Sequence, residues 1–129
     1  MILIKIDGLP IPYKAPYVSR RGAFNLRYKE LEYYKWHIRS QWHQEIVGKE
    51  LEVEYIYHMP IPKATSKIKT DQMLVGGIKH TKTPDLDNLD KFISDALQGV
   101  AIENDSQIWR KTSSKVYNLT PKTLIKIFV

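Results

Sequence analysis

The acidic side chains in residues 83–105 have types and a spacing that suit a divalent metal ion. Asp85 and Asp87 follow Pro84 with one residue between them, and Asp105 lies near the end of the stretch. Hard cations such as Mg²⁺ prefer carboxylate oxygens and usually keep several waters beside one or two protein carboxylates. A metal held in this way activates water and offsets charge on a phosphodiester. One interpretation of the pattern is therefore metal-assisted hydrolysis at Asp85, Asp87 and Asp105, with Mg²⁺ or Mn²⁺ as the ion.

A helix must position these acids. Between Pro84 and Gly99, apolar residues recur at helical spacing: Leu86, Leu89, Phe92, Ile93, Ala96 and Leu97. Gly99 is a signal that ends the helix. Asp85 is expected at the helix N-cap, whereas Asp87, Lys91 and Asp95 share the polar side and Asp90 is expected on the surface. Asp105 reaches the same site only if the chain folds back after the helix.

Each of these residues also has a structural interpretation. Asp85 can simply cap the helix, Asp87 and Asp90 can interact with its dipole, and Asp105 can be a loop acid. Lys91 can contact the scissile phosphate, or it can form an i,i+4 pair with Asp87. Asp95, Glu103 and Asn88 are candidates to complete or support a metal site.

Other kinds of site are excluded by the residues at key positions. An EF-hand starting at Asp85 would have Asp90 where glycine is needed and Ala96 where glutamate is needed. The chain has no glycine-rich phosphate loop and no serine or cysteine nucleophile signature, so no nucleotide cofactor is expected. It has no cysteine, which excludes disulfides and thiolate metal sites.

The composition predicts one globular domain over residues 1–129, with 43% hydrophobic residues and a formal net charge of +6. No apolar run approaches the roughly 20 residues that span a bilayer, and the first residues do not resemble a signal peptide. We therefore expect a cytoplasmic protein without membrane contact.

Two basic stretches, between Leu9 and Lys29 (the first basic loop) and between Met59 and Pro84, contain few acids and are predicted to be loops that contact a polyanion. In the first stretch, tyrosines interleave with the basic residues. This arrangement suits stacking of the tyrosines on nucleic-acid bases, but it also fits tyrosines that pack the loop onto the domain. The alternative for both stretches is an ordinary solvated loop. The candidate DNA-binding residues are Lys14, Arg20, Arg21, Arg27, Lys67, Lys69 and Lys82.

The remaining elements are predicted from apolar periodicity. Strands are expected at residues 2–6, 51–58, 107–119 and 124–129, and a turn at 120–122 predicts that the last two form a hairpin. A long helix is expected from Leu26 to Ile46, with Trp36 off its apolar stripe, and a short basic helix from Thr65 to Met73. The economical fold is α+β, a small mixed four-stranded sheet packed with two main helices.

The sequence resembles the RusA family of Holliday junction resolvases. The resemblance rests on two segments, Pro84-Asp-Leu-Asp-Asn-Leu-Asp-Lys91 with Asp95-Ala-Leu97, and Asn104-Asp-Ser-Gln107. The family pattern is roughly D-x-D-N-L-x-K-x-x-x-D-A-L followed by D/N-D-x-Q, and the match of both halves is specific. Asn104 stands where many members have a second acid, which places the third catalytic position at Asp105. The stretch from Lys63 to His80 is similar to that of phage and prophage members.

The resemblance implies a magnesium-dependent, homodimeric endonuclease that nicks four-way DNA junctions symmetrically during recombination and repair. It implies that Asp85, Asp87 and Asp105 are catalytic and bind the metal, and that Lys91 is the functionally important lysine. A two-fold junction fits a two-fold dimer, whose interface Trp36 or the C-terminal hairpin would line. The alternatives are a non-catalytic branched-DNA-binding protein of the same fold and a structural dimer whose acids only cap a helix.

Overall fold

The computed structural model describes residues 1–15, 17–20, 22–24 and 27–129. The strands are Ile2–Asp7 (β1), Tyr17–Ser19 (β2), Gly22–Phe24 (β3), Leu51–Pro60 (β4), Ile108–Asn118 (β5) and Lys122–Phe128 (β6). The α-helices are Tyr28–Gln41 (α1), Lys67–Leu74 (α2) and Leu86–Leu97 (α3), and a 3₁₀ turn spans Asp105–Gln107. The predicted strands and helices are present, although several of their bounds differ from the prediction.

Four of the strands form a mixed sheet in the order β1-β6-β4-β5. β4 and β5 are parallel, whereas β6 runs antiparallel to both of its neighbours, β1 and β4. In the central strand β4, buried and partly exposed side chains alternate. The buried residues are Leu51, Val53, Tyr55, Tyr57 and Met59. The predicted α+β class with a mixed four-stranded sheet is confirmed.

Helices α1 and α3 cover one face of this sheet. Tyr34 on α1 and Phe92 on α3 are both buried, and their rings meet edge to face with centroids 5.1 Å apart. Ile4 and Ile6 of β1, with Ile125 of β6, complete the same core. Burying one face in this way leaves alternate strand residues on the opposite face of the sheet, away from the helices.

Helix α1 is shorter than predicted. It ends at Gln41, and its predicted first residue, Leu26, lies outside the described residues. The Gln41 side chain pairs with the backbone of Lys5, accepting from its N–H at 2.9 Å and donating to its carbonyl at 2.8 Å. Trp42 then turns extended and is buried, whereas Ile46 is 45% exposed and does not continue the apolar stripe. Trp36 is 60% exposed, as expected for a residue off that stripe.

The predicted hairpin of the last two strands is wrong, because β4 lies between β5 and β6. The connection passes the end of β4, where Pro60 is opposite Asn118 and His58 is opposite Lys122. Two strand spacings amount to about 10 Å, a distance that three linking residues bridge easily at about 3.5 Å each. The turn signal was correct, but adjacency in sequence did not mean adjacency in the sheet.

The first basic loop contains a small hairpin that periodicity did not predict, since β2 and β3 have three residues each and pair antiparallel. The short basic helix was predicted correctly, and the Ser66 side chain caps it by accepting from the Lys69 N–H. Among the described helices, none is long and apolar enough to cross a membrane.

Candidate active site

The N-terminal end of α3 presents Asp85 and Asp87 to solvent. Asp85 is the N-cap, and its Oδ1 accepts a hydrogen bond from the Asn88 N–H at 3.3 Å, as predicted. Asp87 lies in the first turn, where the exposed N–H groups of a helix favour a negative charge. Both carboxylates are exposed, and capping uses only one of the two Asp85 oxygens.

A lysine from the edge strand fixes the loop that leads into Asp85. The Lys115 ammonium donates to the backbone carbonyls of Lys82 at 2.7 Å and Pro84 at 2.8 Å. Two charge-assisted hydrogen bonds to one short segment restrict its movement. Lys115 therefore positions the segment from which Asp85 projects.

Lys91 is exposed one helical turn after Asp87 and lies beside the first basic loop. Its Nζ is 4.6 Å from the centroid of the Tyr13 ring, a cation–π contact. The Tyr13 N–H also donates to the Asn88 carbonyl at 2.8 Å, so the loop is attached to α3 at this point. The observed partner of Lys91 is thus Tyr13, which the sequence interpretation did not consider.

Asp105 begins the 3₁₀ turn that follows α3, and hydrogen bonds hold the residues on either side of Asp105–Ser106. The Asn104 Oδ1 accepts from the Ser106 N–H, and Gln107 Oε1 accepts from the Asn104 N–H at 2.7 Å. Gln107 also donates to the carbonyls of Val47 and Lys49, both at 2.8 Å. This arrangement explains the second half of the sequence pattern, because Asn104 and Gln107 hold Asp105 in a fixed turn.

The structure does not bring Asp105 to the start of α3 within one chain. The Asp105 N–H donates to the side chain of Gln98, the C-cap of α3. Asp85 is at the opposite end of α3, about 20 Å from Gln98 along a helix that rises about 1.5 Å per residue. Across the described residues, no three His, Cys, Asp or Glu side chains form a group that could hold a metal ion. The predicted meeting of the three acids is therefore not found in a single chain.

Asp95 lies between these two ends of α3, and its carboxyl interacts electrostatically with Asp105. Burial raises the pKa of the Asp95 carboxyl, the Asp105 charge raises it further, and Lys91 and Lys35 oppose the shift. Its Oδ1 accepts from the Gln98 side chain at 3.4 Å. Asp95 thus lies close enough to both Lys91 and Asp105 to interact with their charges.

The prediction that Asp90 is a surface residue is wrong, since it is 3% exposed. Its Oδ1 accepts from the Tyr57 hydroxyl at 2.6 Å, and its Oδ2 accepts from the Ser113 hydroxyl at 2.7 Å. The Lys111 ammonium lies 3.1 Å from the same Oδ2. Burial and the nearby Asp90 carboxylate raise the pKa of Tyr57, which keeps it protonated as a donor. A buried carboxylate is tolerated here because two hydroxyl donors and a cation surround it.

Two of the predicted DNA-binding residues lie beside Asp85, one of the candidate catalytic acids. Lys14 and Arg27 line a cleft of about 390 Å³ together with Asp85 and Asn88. Lys82 is exposed three residues before Asp85, and Arg20 is exposed immediately after β2. Lys67 and Lys69 are exposed on α2, which contacts β5. Arg21 lies outside the described residues.

Sequence reasoning missed the basic residues of β5. Lys111, Ser113 and Lys115 are opposite Val53, Tyr55 and Tyr57 of β4, so they share the face that the helices cover. The alternation of Lys111, Ser113 and Lys115 in the predicted strand indicates that these polar residues share one face. That this face lies beside α3 depends on the sheet order, which the strand itself does not specify.

The family model for the RusA endodeoxyribonucleases matches residues 7–128 of this chain. A similar protein is the uncharacterized protein YqaN of Bacillus subtilis (strain 168), 28% identical over 134 residues that cover 98% of this chain and 94% of YqaN. The matched region includes both ends of α3, the Asp105 turn and all of β5. The chain belongs to the RusA endodeoxyribonuclease family and is accordingly a nuclease of the hydrolase class.

Proposed function

We propose that this protein is a magnesium-dependent endonuclease that resolves four-way DNA junctions by paired symmetrical nicks. Its proposed catalytic residues are Asp85, Asp87, Asp105 and Lys91. The observation that carries the proposal is the shared cleft in which Asp85 lies beside Lys14 and Arg27. Cations next to a candidate catalytic carboxylate allow a phosphodiester to approach it despite the repulsion between their negative charges.

The acids at the start of α3 fit a hard divalent cation. Asp85 and Asp87 are exposed carboxylates, and Asp85 keeps one oxygen outside its capping hydrogen bond. Two carboxylates together with water are a common ligand set for Mg²⁺. The bound ion would supply activation of water and stabilisation of charge on the phosphate. Lys91, one turn along the same helix, would donate to a phosphate oxygen.

A role for Asp105 in catalysis requires a two-fold dimer. Because α3 separates Asp105 from Asp85 within one chain, we propose that Asp105 completes the site of the partner subunit. Two such sites related by two-fold symmetry match the two-fold symmetry of a four-way junction. The basic residues of both subunits would then contact phosphates on either side of the branch point.

Substrate selectivity tests the proposed activity. Wild-type protein is incubated with synthetic four-way, three-way and linear DNA in Mg²⁺, in Mn²⁺ and in EDTA. We expect paired nicks in the four-way junction with either metal, little cutting of linear DNA, and no cutting in EDTA. Junction binding without cleavage in any metal would instead favour a non-catalytic branched-DNA-binding protein. Absence of both binding and cleavage would contradict the proposal.

Mixed dimers test whether the site is shared between subunits. Asp87→Asn and Asp105→Asn homodimers should both be inactive. If each site uses Asp87 of one subunit and Asp105 of the other, half of an equimolar mixture forms heterodimers with one intact site each, which restores about a quarter of the wild-type sites. A site built within one chain would leave every site without one carboxylate, so no nicking would return. The junction must carry a label on each strand, because one intact site makes single nicks.

A further inference from the structure

A second cleft lies between α3 and the edge strand β5, near the C-terminal end of α3 and beside the 3₁₀ turn that contains Asp105. It has a volume of about 260 Å³ and is lined by Ser94, Asp105, Ile108, Trp109, Arg110 and Lys111. Only Asp105 among these residues belongs to the proposed catalytic set. The other polar and aromatic residues of the cleft have no role in the function proposed so far.

Lys111 is directed into this cleft by a buried anion. Its ammonium lies 3.1 Å from Oδ2 of Asp90, whose side chain is 5% exposed, whereas the Lys111 side chain is 42% exposed. The Asp90 carboxylate is itself held by the Tyr57 and Ser113 hydroxyls, so it cannot shift easily. An ammonium has three N–H donors, and the contact with Asp90 occupies one side of it. The cation is therefore preorganised before any ligand binds.

One neighbour of Lys111 suits a nucleotide base. Trp109 is 64% exposed, which is unusual for so large an apolar ring and provides a flat surface on which a base can stack. Arg110 also lines the cleft, but its Nε lies 3.8 Å from Glu52, which is opposite it on β4 on the sheet face away from the helices, so the ammonium of Lys111 supplies the positive charge. Positive charge is needed in this cleft, because Asp105 would otherwise repel a phosphate.

We propose that this cleft binds one phosphate of the DNA strand that passes Asp105, with Lys111 as the phosphate-binding residue and Asp90 as the residue that positions it. Trp109 stacks on a base next to that phosphate. Asp90 falls on an x position of the family pattern, so this device is not part of the motif that identifies the family. The inference rests on the proposed DNA-cleaving function and adds a substrate-binding subsite to it.

The competing explanation is that Lys111 only neutralises Asp90, and a matched lysine separates the two. Lys126 forms an ion pair with Glu54 at the same 3.1 Å, and both side chains of this pair are partly exposed. These two residues lie opposite each other on β6 and β4, on the sheet face away from the helices. Lys126→Gln therefore removes the same charge and an ion pair of the same length without touching the cleft.

The test measures binding of a four-way junction without divalent metal, over a series of salt concentrations, for Lys111→Gln and Lys126→Gln. We expect Lys111→Gln to weaken binding about tenfold at low salt and to reduce the slope of log K against log salt by about 1, because one phosphate is no longer neutralised. Lys126→Gln should stay within about twofold of wild type, and Lys111→Arg should restore most of the affinity. Trp109→Ala should weaken binding by about fivefold or more without changing the salt slope, because stacking carries no charge.

A double variant keeps the test valid if Lys111→Gln fails to fold. Asp90→Asn with Lys111→Gln removes the buried charge together with its partner, so no unpaired carboxylate remains. It should fold and show the same decrease in affinity and in salt slope as predicted for Lys111→Gln. Equal binding by the folded double variant and Lys126→Gln would overturn the inference.

The positioning role of Asp90 has its own readout. Asp90→Asn leaves Lys111 charged and makes the protein more basic, so a purely electrostatic effect would tighten binding and leave kcat unchanged. If Asp90 aims Lys111, Asp90→Asn instead weakens junction binding and lowers the salt slope although the protein becomes more basic, because the displaced ammonium no longer meets the phosphate. If wild-type protein neither binds nor cuts junctions, the proposed function fails; if it does both while the Lys111 and Asp90 variants match their controls, only this inference fails.

Discussion

Asp87 and Asp90 are one turn apart on α3, yet they have opposite environments. Asp87 is exposed at the start of the helix, whereas Asp90 is buried and accepts from Tyr57 and Ser113 beside Lys111. The buried carboxylate has its oxygens occupied by protein donors, so it holds α3 against β4 and β5. The exposed carboxylate has none of these contacts and remains available to a metal ion. Residue type alone does not separate a structural aspartate from a catalytic one; the donors around it do.

Removal of the Asp90 carboxylate should produce the largest loss of stability. Asp90→Ala leaves the Tyr57 and Ser113 hydroxyls without their acceptor, and each buried donor left unsatisfied costs about 1–3 kcal/mol, whereas the 42% exposed Lys111 side chain can be solvated. Urea unfolding measures the change, with Asp87→Ala as the control in the same helix. A decrease below about 1 kcal/mol for Asp90→Ala would show that water replaces the carboxylate and that the network is not structural.

Lys91 should behave in the opposite way, with a loss of activity and little loss of stability. Lys91→Met removes a donor to the phosphate, and we expect cleavage to slow about 100-fold, because one donor to developing charge contributes on the order of 3 kcal/mol. Its exposed contact with Tyr13 contributes about 0.5–1 kcal/mol to stability. Single-turnover cleavage and urea unfolding of one preparation measure both quantities. Lys126→Met, on the sheet face away from the helices, is the control, and equal rates for the two variants would remove Lys91 from the site.

Asp85 combines both roles, and two substitutions separate them. Asparagine caps a helix about as well as aspartate, whereas alanine loses about 1 kcal/mol. We therefore expect Asp85→Asn to keep wild-type stability and lose cleavage, and Asp85→Ala to lose both. Thermal unfolding and junction cleavage are measured for each variant. Full cleavage by the stable Asp85→Asn protein would mean that Asp85 only caps the helix.

Asp95 should give the smallest effect, a pH dependence of stability. Its folded pKa is raised, so the folded state holds more protons than the unfolded state between about pH 4, the ordinary range for aspartate, and the raised value. Stability contributed by this carboxyl therefore decreases as the pH rises through that window. Asp95→Asn should have a slightly higher Tm than wild type at pH 7 and lose this advantage near pH 3. A Tm difference independent of pH would contradict the assignment of this shift to Asp95.

Local patterns predicted most of the elements, because their signals lie within a few neighbouring residues. The period of Leu89, Phe92 and Ile93 defined α3, and Asp85 was recognised as its cap from residues next to it. The alternation of β4 gave its buried face in the same way. These features depend on contacts that the segment itself specifies.

The features that were missed depend on partners distant in sequence. Asp90 lies at the border of the apolar stripe, and only the placement of Tyr57 and Ser113 from two strands decides that it is buried. The order of β5 and β6 depends on β4 lying between them. The acids at the two ends of α3 were each identified as candidates, but a helix of fixed length keeps them apart in one chain. Assembly of the site thus depends on structure beyond any one segment.

The most direct test of the central claim is the single-turnover rate of nicking of a synthetic four-way junction by wild type and Asp87→Asn in the same Mg²⁺ buffer. The account predicts paired nicks by the wild type. For Asp87→Asn it predicts a rate lower by at least about 1,000-fold, or about 4 kcal/mol, with junction binding unchanged or tighter because a negative charge near phosphate is removed. Cleavage by Asp87→Asn at the wild-type rate would contradict the account.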